Sequence, residues 1–238
     1  NGWMVTNLAC SLGRPEDHER RRTELARAAE RFGIASDIVE PPLGISSDDD
    51  LEAAQAQLVA AIAGRVSQLA PDVVISPSPH DLHHGHEVVG RAVRVALEVQ
   101  PAARWWQYGV WGDLPFPTVY VPLEPSDTER ALYVLGAYAG ENERNDYRDL
   151  LSGSWIRNRA LGAEKVFGFG AARPIEARAV ELAAEVIWDG TRWWSGTPRV
   201  LAADAVLVPS SERDATAWMH AASVSALRPV PGPSATPS

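Results

Sequence analysis

Apolar residues recur along the first hundred positions in two alternating rhythms. Trp3 to Ala9 (WMVTNLA) is rich in strand-favouring side chains and predicts a strand. Ser11 to Arg14 then turns the chain into a helix. Pro15 suits a first helical position, Glu16 and Asp17 suit the positive helix start, and Leu25, Ala28, Ala29 and Phe32 fall at i, i+3, i+4 and i+7 before Gly33 stops the pattern. A strand-like Ile38-Val39 and a loop from Pro41 to Asp50 follow. A second helix is predicted where Leu51, Ala54, Leu58, Ile62 and Leu69 form one apolar stripe ending before Pro71. The unbroken apolar centre of Asp72 to Ser76, followed by a helix from about Glu87, predicts a strand buried on both faces of a parallel sheet.

Downstream the rhythm loosens. Arg104 to Val110 and Thr118 to Val121 read as strands around a Gly- and Pro-rich loop at Gly112 to Pro117, and Asp127 to Ala139 and Glu143 to Leu151 read as helices. Ala184 to Trp188 and Thr191 to Ser195 flank Asp189-Gly190, a strong hairpin signal. No fixed-period repeat or compositional break divides the chain. One α/β domain over residues 1–227 is expected, with a Pro/Ser-rich tail at 228–238 expected to be disordered.

Composition narrows the chemistry. With 31 acidic and 22 basic residues the net charge is −9, and no basic block exceeds Arg20 to Arg22, which argues against a nucleic-acid partner. No apolar run is long enough to span a membrane. Cys10 is the single cysteine, so a metal would rest on nitrogen and oxygen ligands, and with no signal sequence the expectation is a cytoplasmic protein acting on a small molecule. Self-association is left open.

Four of the six histidines fall between His80 and His86 (HDLHHGH), at the predicted carboxyl end of a strand, where ligands collect in α/β folds. His83 and His86 bracket a short turn from which two imidazoles can converge on one ion or substrate. Capping of the following helix is the plainer role for any one of them. Asp48, Asp49 and Asp50 read as a capping loop, and Arg21 reads as an i,i+3 partner of Glu24. His18 reads as a solvated helix residue, and Cys10 as buried. Among the tryptophans, Trp111 sits in a loop leaving a predicted strand and offers a face to a sugar ring.

Pro71 to Ser76, His80-Asp81-x-His83-His84-Gly85-His86, Val89 to Val93, Leu8 to Gly13 and Arg21-x-x-Glu24-Leu25 together resemble the LmbE-like, or PIG-L, family of zinc-dependent N-deacetylases, well over residues 3 to 100 and weakly beyond. The resemblance implies a Rossmann-like three-layer sandwich with a mostly parallel sheet. It also implies removal of an acyl group, typically acetyl, from an N-acylated amino sugar or similar small amide. The family's His-x-Asp-His motif makes His86 a Zn2+ ligand and His83 the residue assisting the transition state, with Gly85 where the family has Asp. Arg21, His80, Asp81 and Trp111 become candidate substrate contacts. The family's first motif, His-Pro-Asp-Asp, supplies its other zinc ligands and general base and is absent here, so a missing first strand and an inactive fragment are expected. A noncatalytic sugar-binding domain with a degenerate metal site is the alternative.

Overall fold

The computed structural model describes residues 3–45, 51–100, 103–202 and 213–221. The expected tail at 228–238 and the Asp48 to Asp50 capping loop lie outside the described residues. Strand β1 (Thr6–Ala9) leads through a short 3-10 turn at Pro15–Asp17 into α1 (His18–Phe32). Gly33 ends that helix in the left-handed region, φ 76°, where its N–H reaches the Ala29 carbonyl and no side chain resists the turn. Strand β2 (Ala35–Ile38) then returns parallel to β1, Thr6 opposite Ala35.

Helix α2 (Leu51–Leu69) turns Ala54, Leu58, Ile62 and Val66 inward, one residue per turn. It packs on α3 (His84–Val99), which buries Val88, Ala92, Val93, Ala96 and Leu97. Together with Trp105 and Trp193 these side chains form the main core. Burying one leucine such as Leu58 contributes about 1.5–3 kcal/mol, so this helix pair carries much of the fold.

The larger sheet departs from the expected mostly parallel arrangement. Strands β3 (Val73–Pro77) and β4 (Arg104–Tyr108) are parallel, but β6 (Ala179–Trp188) runs antiparallel between β4 and β5 (Val119–Leu123). The Asp189-Gly190 hairpin forms as read, joining β6 to β7 (Trp193–Ser195). The short β8 (Arg199–Val200) and β9 (Arg213–Asp214) extend the sheet beside β5 and β7. The architecture is therefore mixed α/β, with parallel pairs β3–β4 and β5–β8 and antiparallel pairs made by β6 and β7 in one sheet.

Helix α4 (Pro125–Leu135) is as expected, shortened at Gly136. The second predicted helix resolves into α5 (Ala139–Arg144) and the much longer α6 (Tyr147–Phe167). A one-turn α7 (Thr216–Met219) closes over β7. No helix among the described residues is long and apolar enough to cross a membrane.

Two corrections bear on the site. The histidine run is not a loop preceding a helix at Glu87, because α3 already begins at His84 and places His84, Gly85 and His86 in its first turn. Nor is β3 buried on both faces: Ile75 is 58% exposed, since β3 pairs only with β4 while β1 and β2 form a sheet of their own.

The mixed sheet contains a buried charge. Glu185 on β6 is fully buried and accepts Arg199 Nη1 at 2.9 Å, Arg199 Nη2 at 2.7 Å and Trp106 Nε1 at 2.6 Å. Removing the guanidinium strands a carboxylate in the core, so Arg199→Ala is expected to cost about 3–5 kcal/mol in chemical denaturation. A loss under about 1 kcal/mol would show that water reaches Glu185.

Candidate active site

The site is assembled where β3 ends. Its last residues lead through Ser78 to His83 into α3, and α3 lies so close to this loop that a Cβ on Gly90 would meet Pro79 N at 2.5 Å and Pro79 Cα at 2.7 Å. Only a residue without a side chain lets the helix approach its own entry loop that closely.

Asp81 organises the loop from inside. It is fully buried, its Oδ1 accepts the His83 N–H at 3.1 Å, and its Oδ2 accepts the N–H of Val110 at 2.8 Å and of Trp111 at 3.3 Å. Burial would raise its pKa, but the facing His86 ring and the N–H groups of Val110 and His83 outweigh burial and hold the carboxyl below the usual carboxylate range. One side chain thus ties the β3–α3 loop to the loop after β4.

Those two loops bring their rings together. Trp111 stacks on His83 with centroids 6.1 Å apart and planes at 25°, and His83 stacks on His84 at 4.5 Å and 22°. His86 lies 5.0 Å from His83, and Tyr147 at the start of α6 meets Trp111 edge-on at 6.5 Å. Burial, then the neighbouring His86 and His84, push the His83 pKa down to about 4, so the ring is neutral at neutral pH. His86 Nδ1 is buried without a hydrogen-bond partner, its nearest acceptor being Asp81 Oδ2 at 3.5 Å, an ion-pair separation too long to count as a good hydrogen bond.

These side chains line one wall of a continuous cavity of about 1880 Å³. Arg21 lines it too, but its partner is Glu141 of α5, shared with Arg144 at 2.6 Å. The expected Arg21–Glu24 pair does not form, because Arg20 takes Glu24 at 3.0 Å and Glu24 also accepts the Gly140 N–H.

Of the six side chains singled out, Arg21, His83, His86 and Trp111 meet at the cavity. His80 and Asp81, read as substrate contacts, do not reach it. His80 turns away to the Trp218 carbonyl (2.8 Å) and packs on that indole, and the oxygens of Asp81 are taken by backbone N–H groups. Both position the loop. Tyr147, Glu141 and Arg144 were not foreseen, since they come from helices some sixty residues downstream with no local motif. Cys10 is largely buried, which pushes its thiol up to about 11 and away from nucleophilic use.

Catalytic zinc takes three protein ligands, and among the described residues no three His, Cys, Asp or Glu side chains are grouped to hold a metal ion. The imidazoles of His83 and His86 are on hand, but Asp81 is spent on the backbone, so the residues present do not complete a zinc site. Gly85 lacks a side chain where a Cβ would sit 3.3 Å from His83 Cε1 and Nδ1.

Residues 2–97 match the family model described as PIG-L, GlcNAc-PI de-N-acetylase. Among solved structures, the chain resembles the A40926 pseudoaglycone deacetylase Dbv21 (15% identity, 76% of this chain and 84% of that one, TM-score 0.55). It also resembles the conserved protein TT1542 from Thermus thermophilus (16%, 87% of each chain, 0.54). A third similar fold is the zinc-inhibited form of teicoplanin deacetylase Orf2 (13%, 79% and 88%, 0.51). At these identities the likeness is one of fold. No curated protein matches the sequence.

Two outcomes follow from this geometry. A base whose folded pKa lies near 4 against an unfolded value near 6.5 binds its proton less readily when folded. His83 therefore contributes stability that is complete above pH 6.5 and lost as pH falls toward 4. His83→Asn is expected to flatten the denaturation midpoint over that window, and an unchanged slope would contradict the assignment. Gly90→Ala must displace the Ser78–Pro79 backbone and is expected to cost about 1–3 kcal/mol. Retention of wild-type stability and of the Trp111 fluorescence would show that α3 can move without disturbing the loop.

Proposed function

We propose that this cavity is the active site of an amide hydrolase that removes an acyl group, acetyl in the first instance, from an N-acylated amino sugar or a comparable small amide. The observation supporting this most is the stack of Trp111, His83 and His84 with His86 beside it at the carboxyl end of β3, the three histidines lying inside the stretch that matches a de-N-acetylase family. Water adds to the acyl carbon, the C–N bond breaks, and the amine departs with a proton as the acid is released.

The chain's own side chains have distinct parts in this reaction. A ring N–H of His83 donates to the oxyanion of the tetrahedral intermediate, where a fixed donor lowers the barrier most. Trp111, 41% exposed, offers its face to the apolar side of a sugar ring, with Tyr147 closing the corner. Arg21 and Arg144, linked through Glu141, present guanidinium N–H donors to hydroxyl or phosphate oxygens. Asp81 holds His83 and Trp111 in place.

His86 is the side chain here that would ligate a zinc ion, and the described residues alone do not complete such a site. Such an ion, when bound, supplies an activated water. The alternative, a noncatalytic sugar-binding domain, is favoured by the incomplete donor set and by Gly85.

Zinc competition against a chromophoric chelator separates the two readings. The 238-residue chain is expected to bind zinc weakly, and a form lengthened ahead of Asn1 by a strand ending in His-Pro-Asp-Asp to bind it tightly and to release acetate from N-acetylglucosamine derivatives. In that longer form His86→Ala is expected to lose the metal, whereas His83→Ala keeps the metal and loses about 10²–10³-fold in kcat. Equal zinc affinity of the two forms would overturn the ligand assignment. Sugar binding without turnover by the longer form would establish the binding domain.

A further inference from the structure

Helix α7 is a single turn, yet it is firmly anchored. The Ala215 N–H donates to the Trp193 carbonyl at 2.7 Å, and Thr216 Oγ1 accepts the Trp193 N–H at 3.0 Å. Met219 is 2% exposed, and its sulfur accepts Gln107 Nε2 of β4 at 3.4 Å. His220, just beyond, meets Arg94 and lies 3.4 Å from Glu98, both on α3. These anchors belong to the sheet and to the body of α3, so α7 has a footing independent of the loops around the cavity.

From that footing Trp218 reaches both loops that form the histidine wall. In the loop after β3, His80 Nε2 donates to the Trp218 carbonyl at 2.8 Å, and the His80 ring packs on the indole with centroids 4.5 Å apart. In the loop after β4, Phe116 meets the same indole edge-on at 4.4 Å. The two loops also touch each other directly: a Cβ on Gly112 would lie 3.3 Å from Leu82 Cγ and 3.5 Å from the His80 carbonyl oxygen. Trp218 itself is not among the described residues that line the cavity.

We propose that Trp218 is a positioning residue of the candidate active site, an outer clamp that fixes His83 against Trp111 from outside the cavity. His80 stands three residues before His83, and Phe116 five after Trp111. Asp81 ties the same two loops from within, through one buried carboxylate. A tie at one point fixes a separation and leaves the loops free to pivot about it. A second body in contact with both loops removes the pivot. An indole suits that task, because it is large, rigid and has few rotatable bonds, and its tilted and edge-on contacts are the favourable ones between aromatic rings. The clamp also accounts for the outward turn of His80, whose Nε2 proton is committed to a carbonyl that can only accept.

The consequence for a ligand rests on the reading of the cavity as an N-acyl amino sugar site. Without the clamp Trp111 loses its fixed place on His83, and the sugar is bound less tightly although every side chain lining the cavity is unchanged. The geometry of the clamp stands apart from that reading.

Two NMR readouts on the 238-residue chain test it, both taken well below the unfolding midpoint of each variant. One is the cross-peak between the His83 and Trp111 rings in the free protein, and the other is the affinity for N-acetylglucosamine. Trp218→Ala is expected to lose the cross-peak and to weaken the sugar about tenfold, and Trp218→Phe to restore both. Val180→Ala opens the core around β6 instead, and is expected to leave both readouts as in the wild type despite its lower stability. His80→Ala and Phe116→Ala each release one loop, and each is expected to diminish both readouts, which decides the matter if Trp218→Ala does not fold. An intact cross-peak in Trp218→Ala, an equal loss in Val180→Ala, or a loss in only one of the two loop variants would overturn the clamp. A lost cross-peak with undiminished sugar affinity would overturn the positioning role. A wild type with no saturable N-acetylglucosamine binding would overturn the reading of the ligand, while the cross-peak would still decide the clamp.

Discussion

The carboxylate of Asp81 is the constraint on which the site depends. Fully buried, it gathers the N–H groups of His83, Val110 and Trp111, binding the loop after β3 to the loop after β4. Each of these is a charge-assisted bond, worth about 1.5–3 kcal/mol, and without it both loops would expose unpaired backbone donors. The stacking of Trp111 on His83 follows from this tether rather than from ring attraction alone. Gly90 adds the second condition, bringing α3 against Pro79 so that the first helical turn presents His84 and His86 to the same cavity.

The same cavity joins two features that sheet topology sets independently. One end is the histidine wall, built by α3 and the loops that Asp81 holds. The other is the gap between β1 and β3, whose edges give this fold two rows of backbone groups and a run of uncovered apolar side chains. An open edge of this kind invites pairing with whatever extended chain is near.

Much of the first hundred residues was legible because their periodicities are strong. The stripe of Leu58 and Ile62 and the stop at Gly33 mark crossover helices without ambiguity. The start of α3 was misplaced because His84 and Gly85 are poor helix formers, and the buried pairing of Asp81 with the loop entry, not propensity, sets the boundary. The mixed sheet was misread because the direction of β6 is decided by long-range pairing with β4 and β5. At the site, His83, His86 and Trp111 could be found from spacing and loop position. Tyr147 and Glu141 could not, since only tertiary packing of α5 and α6 brings them to the cavity. Asp81 and His80, read as substrate contacts, are engaged inside the protein instead, and burial and hydrogen bonding within a loop leave no local signature separating the two roles.

The central claim is that the wall made by His83, His86 and Trp111 recognises an N-acylated amino sugar, held in that geometry by Asp81. The most direct measurement is two-dimensional NMR of the imidazole and indole resonances during titration with N-acetylglucosamine, in the wild-type chain and in Asp81→Asn. The account predicts saturable shifts at His83, His86 and the Trp111 indole N–H, with His80 and Trp193 unmoved and the shifts lost or strongly weakened in Asp81→Asn. Shifts confined to other aromatic residues, or an unaltered titration in Asp81→Asn, would contradict it.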